Sequence, residues 1–206
     1  CHKINKKNNQ SPVTQKLLDM IKDFKEIMPM ILELGNKAMK LTHWQGLFTT
    51  LGHQLYKNDK INIKRLKNKQ IFQNKQIISD VCAQAVGEHG LETSLAAIEE
   101  NWKNANFIVG SYTKSKDCYI LGDVEEVMVM LEDNQVQLQT MLGSRHVKTM
   151  QARVEAWSKK LNFLSEVIDE WLTCQRSWMY LEPIFSAADI QRQLPQESKL
   201  FQGVDR

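Results

Sequence analysis

The chain has 206 residues with a charged fraction of 25% and a formal net charge of +3, enough length for one or two domains with a sizeable core and too little charge to demand a nucleic-acid partner. Nine glycines and four prolines are few for this length, while Lys, Glu, Gln, Leu and Met abound, a mixture that favours helix. No apolar run approaches the length of a membrane span, so no membrane partner is expected.

Cys1-His2-Lys3-Ile4 lacks an initiator Met and an apolar signal core, and Phe201 to Arg206 carries no stop signal, so the chain reads as a piece of something longer. Residues 1–10 are polar and basic and read as a disordered lead-in. Residues 11–56 read as N-terminal helices. Ser11 supplies a cap, Pro12 stands at the first helical position, and Val13, Leu17, Ile21, Phe24 and Ile27 recur at helical spacing. Pro29 either opens a new helix or kinks this one, because it lacks the N–H of the helical ladder. Met30, Ile31 and Leu34 follow, and Gly35-Asn36 is a stop. Trp44, Leu47, Phe48 and Leu51 define a second short helix ending near Gly52.

Residues 57–75 form a basic connector, rich in Lys and Asn, with Arg65 and only Asp59 in opposition. With Phe72 as its single aromatic residue, it reads as a solvated segment pinned by Ile61, Ile63 and Leu66; a nucleic-acid or acidic-partner patch is the alternative, testable by salt-dependent binding. Residues 76–206 read as a helical bundle. Its first rod, 76–105, carries Ile78, Val81, Ala85, Leu91, Leu95, Ile98, Trp102 and Ala105, with Gly87 and Gly90 as points of bending or breakage. Alternation at Phe107, Val109 and Tyr112, then a polar stretch, then Cys118 to Leu121, predicts a β-hairpin near 107–121. Asp123 is expected to cap the next helix with Glu126 completing a capping box, and that helix presents Val124, Val127, Met128, Leu131, Leu138 and Leu142 on one face.

The longest pattern follows the turn at Gly143-Ser144. Val147, Met150, Val154, Trp157, Leu161, Leu164, Ile168, Trp171, Gln175 and Trp178 step by threes and fours, apolar throughout except for Gln175. This predicts a rod over 146–181, roughly 50 Å long at 1.5 Å per residue, that ends at Leu181 or Glu182 before Pro183. Asp189-Ile190 and Leu194-Pro195 read as short turns in a compact tail. The fold class expected is mainly α: an elongated antiparallel helical bundle with one small β-hairpin.

Chemistry-bearing constellations are sparse. Cys1, Cys82, Cys118 and Cys174 are far apart, form no CxxC pair and have no His at ligand spacing, so they read as reduced thiols. His43, His89 and His146 have no carboxylate or Cys at a spacing that suits zinc or acid–base work. Glu99-Glu100 and Glu125-Glu126 read as solvated helix faces, and Met128, Met130, Met141 and Met150 as core filling. Trp157, Trp171 and Trp178 read as interhelical core, so Trp171→Ala is expected to cost about 3–5 kcal/mol. No phosphate-binding GxxxxGK[ST], GxSxG or HExxH occurs. The expectation is no catalytic, cofactor-binding or metal residues and no enzyme activity in this segment.

Four stretches resemble the linker region of dynein heavy chains, more specifically its tail-proximal part in the axonemal kind. They are Leu34, Asn36, Ala38, Met39, His43 and Trp44; Ala85, Glu88, Leu91, Glu92, Leu95, Ile98 and Trp102; Tyr119-Ile120-Leu121 with Leu131-Glu132-Asp133-Asn134; and Trp171, Gln175, Trp178, Tyr180-Leu181-Glu182, Ile184-Phe185, Asp189-Ile190, Gln193-Leu194-Pro195, Glu197 and Phe201. The resemblance implies a mechanical role. The linker is an arch of helices joining the tail to a ring of AAA+ ATPase modules, and it bends and straightens with the nucleotide cycle. It implies as partners the AAA+ ring of the same polypeptide, and, through the whole complex, intermediate and light chains and microtubules of a cilium or flagellum. Stiff rods then need joints, for which Gly87–Gly90, the hairpin tip near Lys114–Asp117 and Gly143-Ser144 are the candidates. A non-motor scaffold of spectrin-like bundles and an ATPase are the competing readings; flanking sequence separates the first, nucleotide turnover the second.

Overall fold

The computed structural model describes residues 12–112 and 118–204, so the lead-in, the Ser11 cap and the expected joint at Lys114–Asp117 lie outside the described residues. Among the described residues there are eight α-helices, two short 3-10 turns and one two-stranded sheet. The expected class, a mainly α helical bundle with one hairpin, is what is found. Packing divides the chain into two units, one up to Thr93 and one from Ser94 onward.

In the first unit, α1 (Pro12–Leu34) runs through Pro29, which neither starts nor stops it. Only the end of α1 is seated in the core, through Met30 and Leu34, while Val13, Leu17, Met20 and Phe24 stay exposed. The helix stops where expected: the Gly35 N–H closes on the Ile31 carbonyl and the Asn36 side chain accepts the Ala38 N–H at 2.9 Å. Helix α2 (Leu41–Thr50) buries Leu47 and Phe48 completely, and after it Gly52 takes a φ of +74°, a left-handed turn that a Cβ would strain.

The basic segment is folded. Asn62 caps α3 (Ile63–Asn68) by accepting the Arg65 N–H at 2.8 Å, and the Arg65 guanidinium holds Asp59 at 2.8 Å. Ile63, an expected anchor, faces solvent; Leu66 and Ile71, the latter in a 3-10 turn over Ile71–Gln73, are the buried ones. They join Phe48, Leu55, Ile78 and Cys82 in one core.

Helix α4 (Lys75–Lys103) is continuous, so Gly87 and Gly90 do not break it; a Cβ on Gly90 would meet nothing within 4 Å. Its last turns bury Leu95 and Ile98 and belong to the second unit. There α5 (Glu125–Leu142) lies against α6 (Gln151–Phe185), the most extensive helix pairing among the described residues. Gln135 reaches Asn162 and Gln139 reaches Ser158, four residues forward on one helix and four back on the other, so the pair is antiparallel. Leu131, Leu138 and Met141 of α5 and Val154, Leu161 and Ile168 of α6 are buried.

The ends of these helices differ from the spacing argument. Asp123 accepts the Glu125 N–H at 2.9 Å, but the cap position falls on Val124 and Glu126 closes no box. Val147–Thr149 is a 3-10 turn and α6 begins only at Gln151, four residues after the stripe does. Pro183 lies inside α6, which ends at Phe185. A proline in the last turn forfeits one ladder bond, and the Ser186 N–H still closes on the Glu182 carbonyl. The tail is helical rather than a set of turns: α7 (Ala188–Gln193) and α8 (Pro195–Val204), with Phe201 stacked on Phe185 at 5.2 Å.

Candidate functional site

The hairpin lies where the sequence places it. β1 (Val109–Ser111) pairs antiparallel with β2 (Tyr119–Leu121), with Val109 opposite Leu121 and Ser111 opposite Tyr119. The Tyr112 N–H donates to the Cys118 carbonyl at 2.8 Å and the Gly122 N–H to the Ile108 carbonyl at 2.7 Å. Ladder bonds alternate along an antiparallel pair, so even-numbered β1 residues bond across the hairpin and the main-chain groups of Val109, Ser111, Tyr119 and Leu121 point outward.

Gln175 meets that outward edge of β2. Its side-chain carbonyl accepts the Leu121 N–H at 2.7 Å and its amide donates to the Leu121 carbonyl at 2.8 Å. The one polar residue of the α6 stripe thus acts as a short piece of strand. One turn further along α6, Trp178 packs edge-on against Tyr112 with ring centroids 5.0 Å apart, and the Tyr112 hydroxyl reaches Glu182 at 3.2 Å. Burial and the Glu182 carboxylate push the Tyr112 phenol above its ordinary range.

The register of α5 on α6 explains where the hairpin sits. Continued at the same pace, the first residue of α5, Glu125, comes level with the neighbourhood of Leu172. Beyond that point α6 has lost its helical partner and the hairpin takes over. Trp171 falls at this change and is 57% exposed, which corrects its expected place in an interhelical core. Trp157 and Trp178 are half-buried.

A second tie joins α4 to α6 within the same unit. The Arg153 guanidinium approaches both Glu99 carboxylate oxygens at 2.9 Å, and Trp157 donates its indole N–H to the same carboxylate at 2.9 Å. Arg153, and less strongly Trp157, hold the Glu99 carboxyl below the usual carboxylate range. Of the expected solvated pair, Glu100 fits, facing Lys103 at the surface, and Glu99 does not.

The third tie is in the first unit. His43 Nδ1 accepts the Lys40 N–H at 3.1 Å, capping α2, which leaves the ring proton on Nε2 to donate to Glu88 at 3.1 Å. Gln84 donates to the other Glu88 oxygen at 2.9 Å, and His43 and Glu88 are both buried. Spacing arguments missed this pair because its members lie 45 residues apart. Leu47, four residues after His43 on the same helix and fully buried, is the available signal that its face is inward. His89 is exposed, and His146 accepts from Arg145 at 3.0 Å.

Among the described residues no group of His, Cys, Asp and Glu could hold a metal ion. Cys82 is buried and its thiol is pushed up, first by burial and then by Glu33, while Cys118 is half-buried and Cys174 exposed; all three are free thiols. Met141 and Met150 fill core; Met128 and Met130 are half-buried. No helix among the described residues is long and apolar enough to cross a membrane.

What this arrangement can do is hold helices and a hairpin in register through paired polar groups, which is the design of a braced helical-bundle module. The whole sequence, residues 1–206, matches the family described as dynein heavy chain, N-terminal region 2, and the chain belongs to that family, making it a motor-protein component. It is 37% identical over 195 residues, 94% of this chain, to dynein axonemal heavy chain 6 of Homo sapiens. It is 36% identical over its full length to dynein axonemal heavy chain 1 of Homo sapiens, and 34% identical over 96% of its length to the dynein gamma chain, flagellar outer arm, of Chlamydomonas reinhardtii. The chain spans about 5% of the length of each of these relatives.

Proposed function

We propose that this segment is a non-catalytic part of the linker of an axonemal dynein heavy chain, carrying the conformational change of an ATP-driven ring to the tail. Family membership over the whole chain is the observation that carries this reading. The structure supplies its physical counterpart. Helices α4 and α6 are long, α6 is braced at one end by α5 and at the other by the hairpin, and the ties at Glu99 and Gln175 are paired polar contacts that resist sliding. The working partners are then the AAA+ ring of the same polypeptide and, through the assembled complex, intermediate and light chains and microtubules of the axoneme.

The test is Lys160→Pro in a full-length axonemal heavy chain. Proline in the interior of α6 removes a ladder bond and costs about 3 kcal/mol or more, so the rod kinks while the distant nucleotide sites are untouched. Microtubule gliding is expected to slow severely while ATP turnover persists. Gliding at the unaltered speed would refute the mechanical reading, and abolished turnover would place this segment in the catalytic machinery instead.

A further inference from the structure

The positive charge of this chain is concentrated in one short stretch. Residues 57–75 hold seven of its 27 cations and one of its 24 acids, so the rest of the chain is net negative. That one acid, Asp59, is already committed. Its carboxylate accepts from the Arg65 guanidinium at 2.8 Å and from the Tyr56 N–H at 2.9 Å, and these two, Arg65 foremost, hold it below the usual carboxylate range. Six lysines remain: Lys57, Lys60, Lys64, Lys67, Lys69 and Lys75. All are exposed, and none forms an ion pair among the described residues. We propose that this basic segment of the first unit docks a flexible, carboxylate-rich segment of a partner protein, with Lys60, Lys64, Lys67 and Lys69 as its footing.

The scaffold under these charges is fixed. Lys64 and Lys67, three residues apart on α3, share a helix face, and Lys60 and Lys69 flank the two ends of that helix, which is about 9 Å long. The Lys69 N–H closes on the Arg65 carbonyl at 3.0 Å, and the Lys69 carbonyl meets the His53 ring at 3.1 Å. Gln70 beside it holds a left-handed turn at a φ of 54°, which a slack connector would not keep. Chemistry then selects the occupant. With its one guanidinium engaged by Asp59, the segment offers ammonium point charges and no free fork for planar, bidentate recognition. Of the two aromatic residues in 56–75, Phe72 is half-buried and Tyr56 alone is exposed, so successive nucleobases lack a platform on which to stack. Carboxylates on a flexible backbone need neither fork nor platform, since each can meet an ammonium without a set geometry. Nor does this chain supply the anion. No run of acids longer than two residues occurs in it, and residues 1–10 carry three lysines and no acid, so a second copy has no matching tract to offer.

The test uses a full-length heavy chain that contains this segment, with an oligoglutamate peptide as the probe. Carbodiimide, which joins lysine amines to carboxylates in contact with them, is expected to attach the peptide at Lys60, Lys64, Lys67 and Lys69. Attachment is expected to fall about tenfold in molar salt, where the screening length shrinks to about 3 Å. Unlabelled oligoglutamine is expected not to compete. Lys64→Glu with Lys67→Glu reverses two exposed charges and is expected to lower attachment at Lys60 and Lys69 about tenfold. Exchange of the α3 amides should stay unchanged as the check on folding, and Lys60→Glu, read at Lys69, repeats the test without touching that helix. Attachment that the reversed charges leave unaltered would overturn the proposal. So would its absence at all four lysines, the result expected if the heavy chain covers this segment itself. Tighter binding of oligothymidylate that Tyr56→Ala removes would make the occupant a nucleic acid, and capture by phosphatidylserine vesicles in preference to the peptide would make it a membrane; either overturns the proposal.

Discussion

Replacing Gln175 with alanine isolates the seat of the hairpin on α6. Two hydrogen bonds disappear, at 2.7 and 2.8 Å, both to a residue that is itself buried. Each net bond is worth about 0.5–1.5 kcal/mol, and truncation leaves space through which water reaches part of the freed edge, so the loss comes to about 2 kcal/mol. That corresponds to roughly thirtyfold in the equilibrium for local opening. Native-state hydrogen exchange reads this directly, because the Leu121 N–H takes its bond from Gln175 rather than from the hairpin ladder. The Leu121 amide is expected to exchange about thirtyfold faster, with Leu131 on α5 unchanged. Gln175→Glu sharpens the test: it keeps an acceptor for the Leu121 N–H but turns an oxygen on the Leu121 carbonyl, so the amide stays partly protected while the hairpin loosens. Unchanged protection of Leu121 in the alanine variant would show that the side-chain bridge does not hold the hairpin.

Four further outcomes follow from the same structure. Trp171→Ala is expected to cost less than about 1 kcal/mol, whereas Phe48→Ala in the first core costs about 3–5 kcal/mol; urea midpoints of the two variants in the reverse order would refute the burial argument. The Glu99 carboxyl is held below its ordinary value of 4.5, so its stabilisation is complete above that value and vanishes as pH falls through the lower, folded one. Unfolding midpoints of the unaltered chain and Glu99→Gln should accordingly converge in acid; a gap that is constant with pH would show that Arg153 contributes no charge-dependent stabilisation. His43→Leu removes one hydrogen-bond partner of the buried Glu88 carboxylate and is expected to destabilise the first unit by about 1–3 kcal/mol, with Glu88→Gln milder, in chemical denaturation. Gly90→Ala meets open space in a helix interior and is expected to add about 0.5–1 kcal/mol; faster exchange of the neighbouring α4 amides in that variant would show strain there instead.

The sequence made local, periodic features legible and left long-range ones dark. Stripes at helical spacing located all the long helices, and alternation around Gly110 located the hairpin. Helix ends were less accurate because they depend on competition between neighbouring caps: Asp123 bonds locally one step early, and a 3-10 turn occupies the first residues of the α6 stripe. The stripe also gave no sign of where its partner stops. Trp171 belongs to the same ladder as Ile168, but α5 begins level with it, so one is exposed and the other buried. The polar ties were out of reach for a related reason. His43 with Glu88, Glu99 with Arg153 and Leu121 with Gln175 each join residues 45 or more positions apart, and only folding brings them together. Gln175 is visible as an interruption, and its chemistry, an N–H donor beside a carbonyl acceptor on a planar amide, matches that of the peptide group it meets.

That resemblance between a side chain and a peptide group has a bearing on how such segments diversify. The amide of Gln175 recognises backbone atoms, which every residue except proline would present at position 121. Drift in the identity of the strand's residues therefore leaves the anchorage intact so long as the chain stays extended there. Position 175 enjoys no such latitude, since even asparagine, one methylene shorter, would fall short of the strand it has to hold.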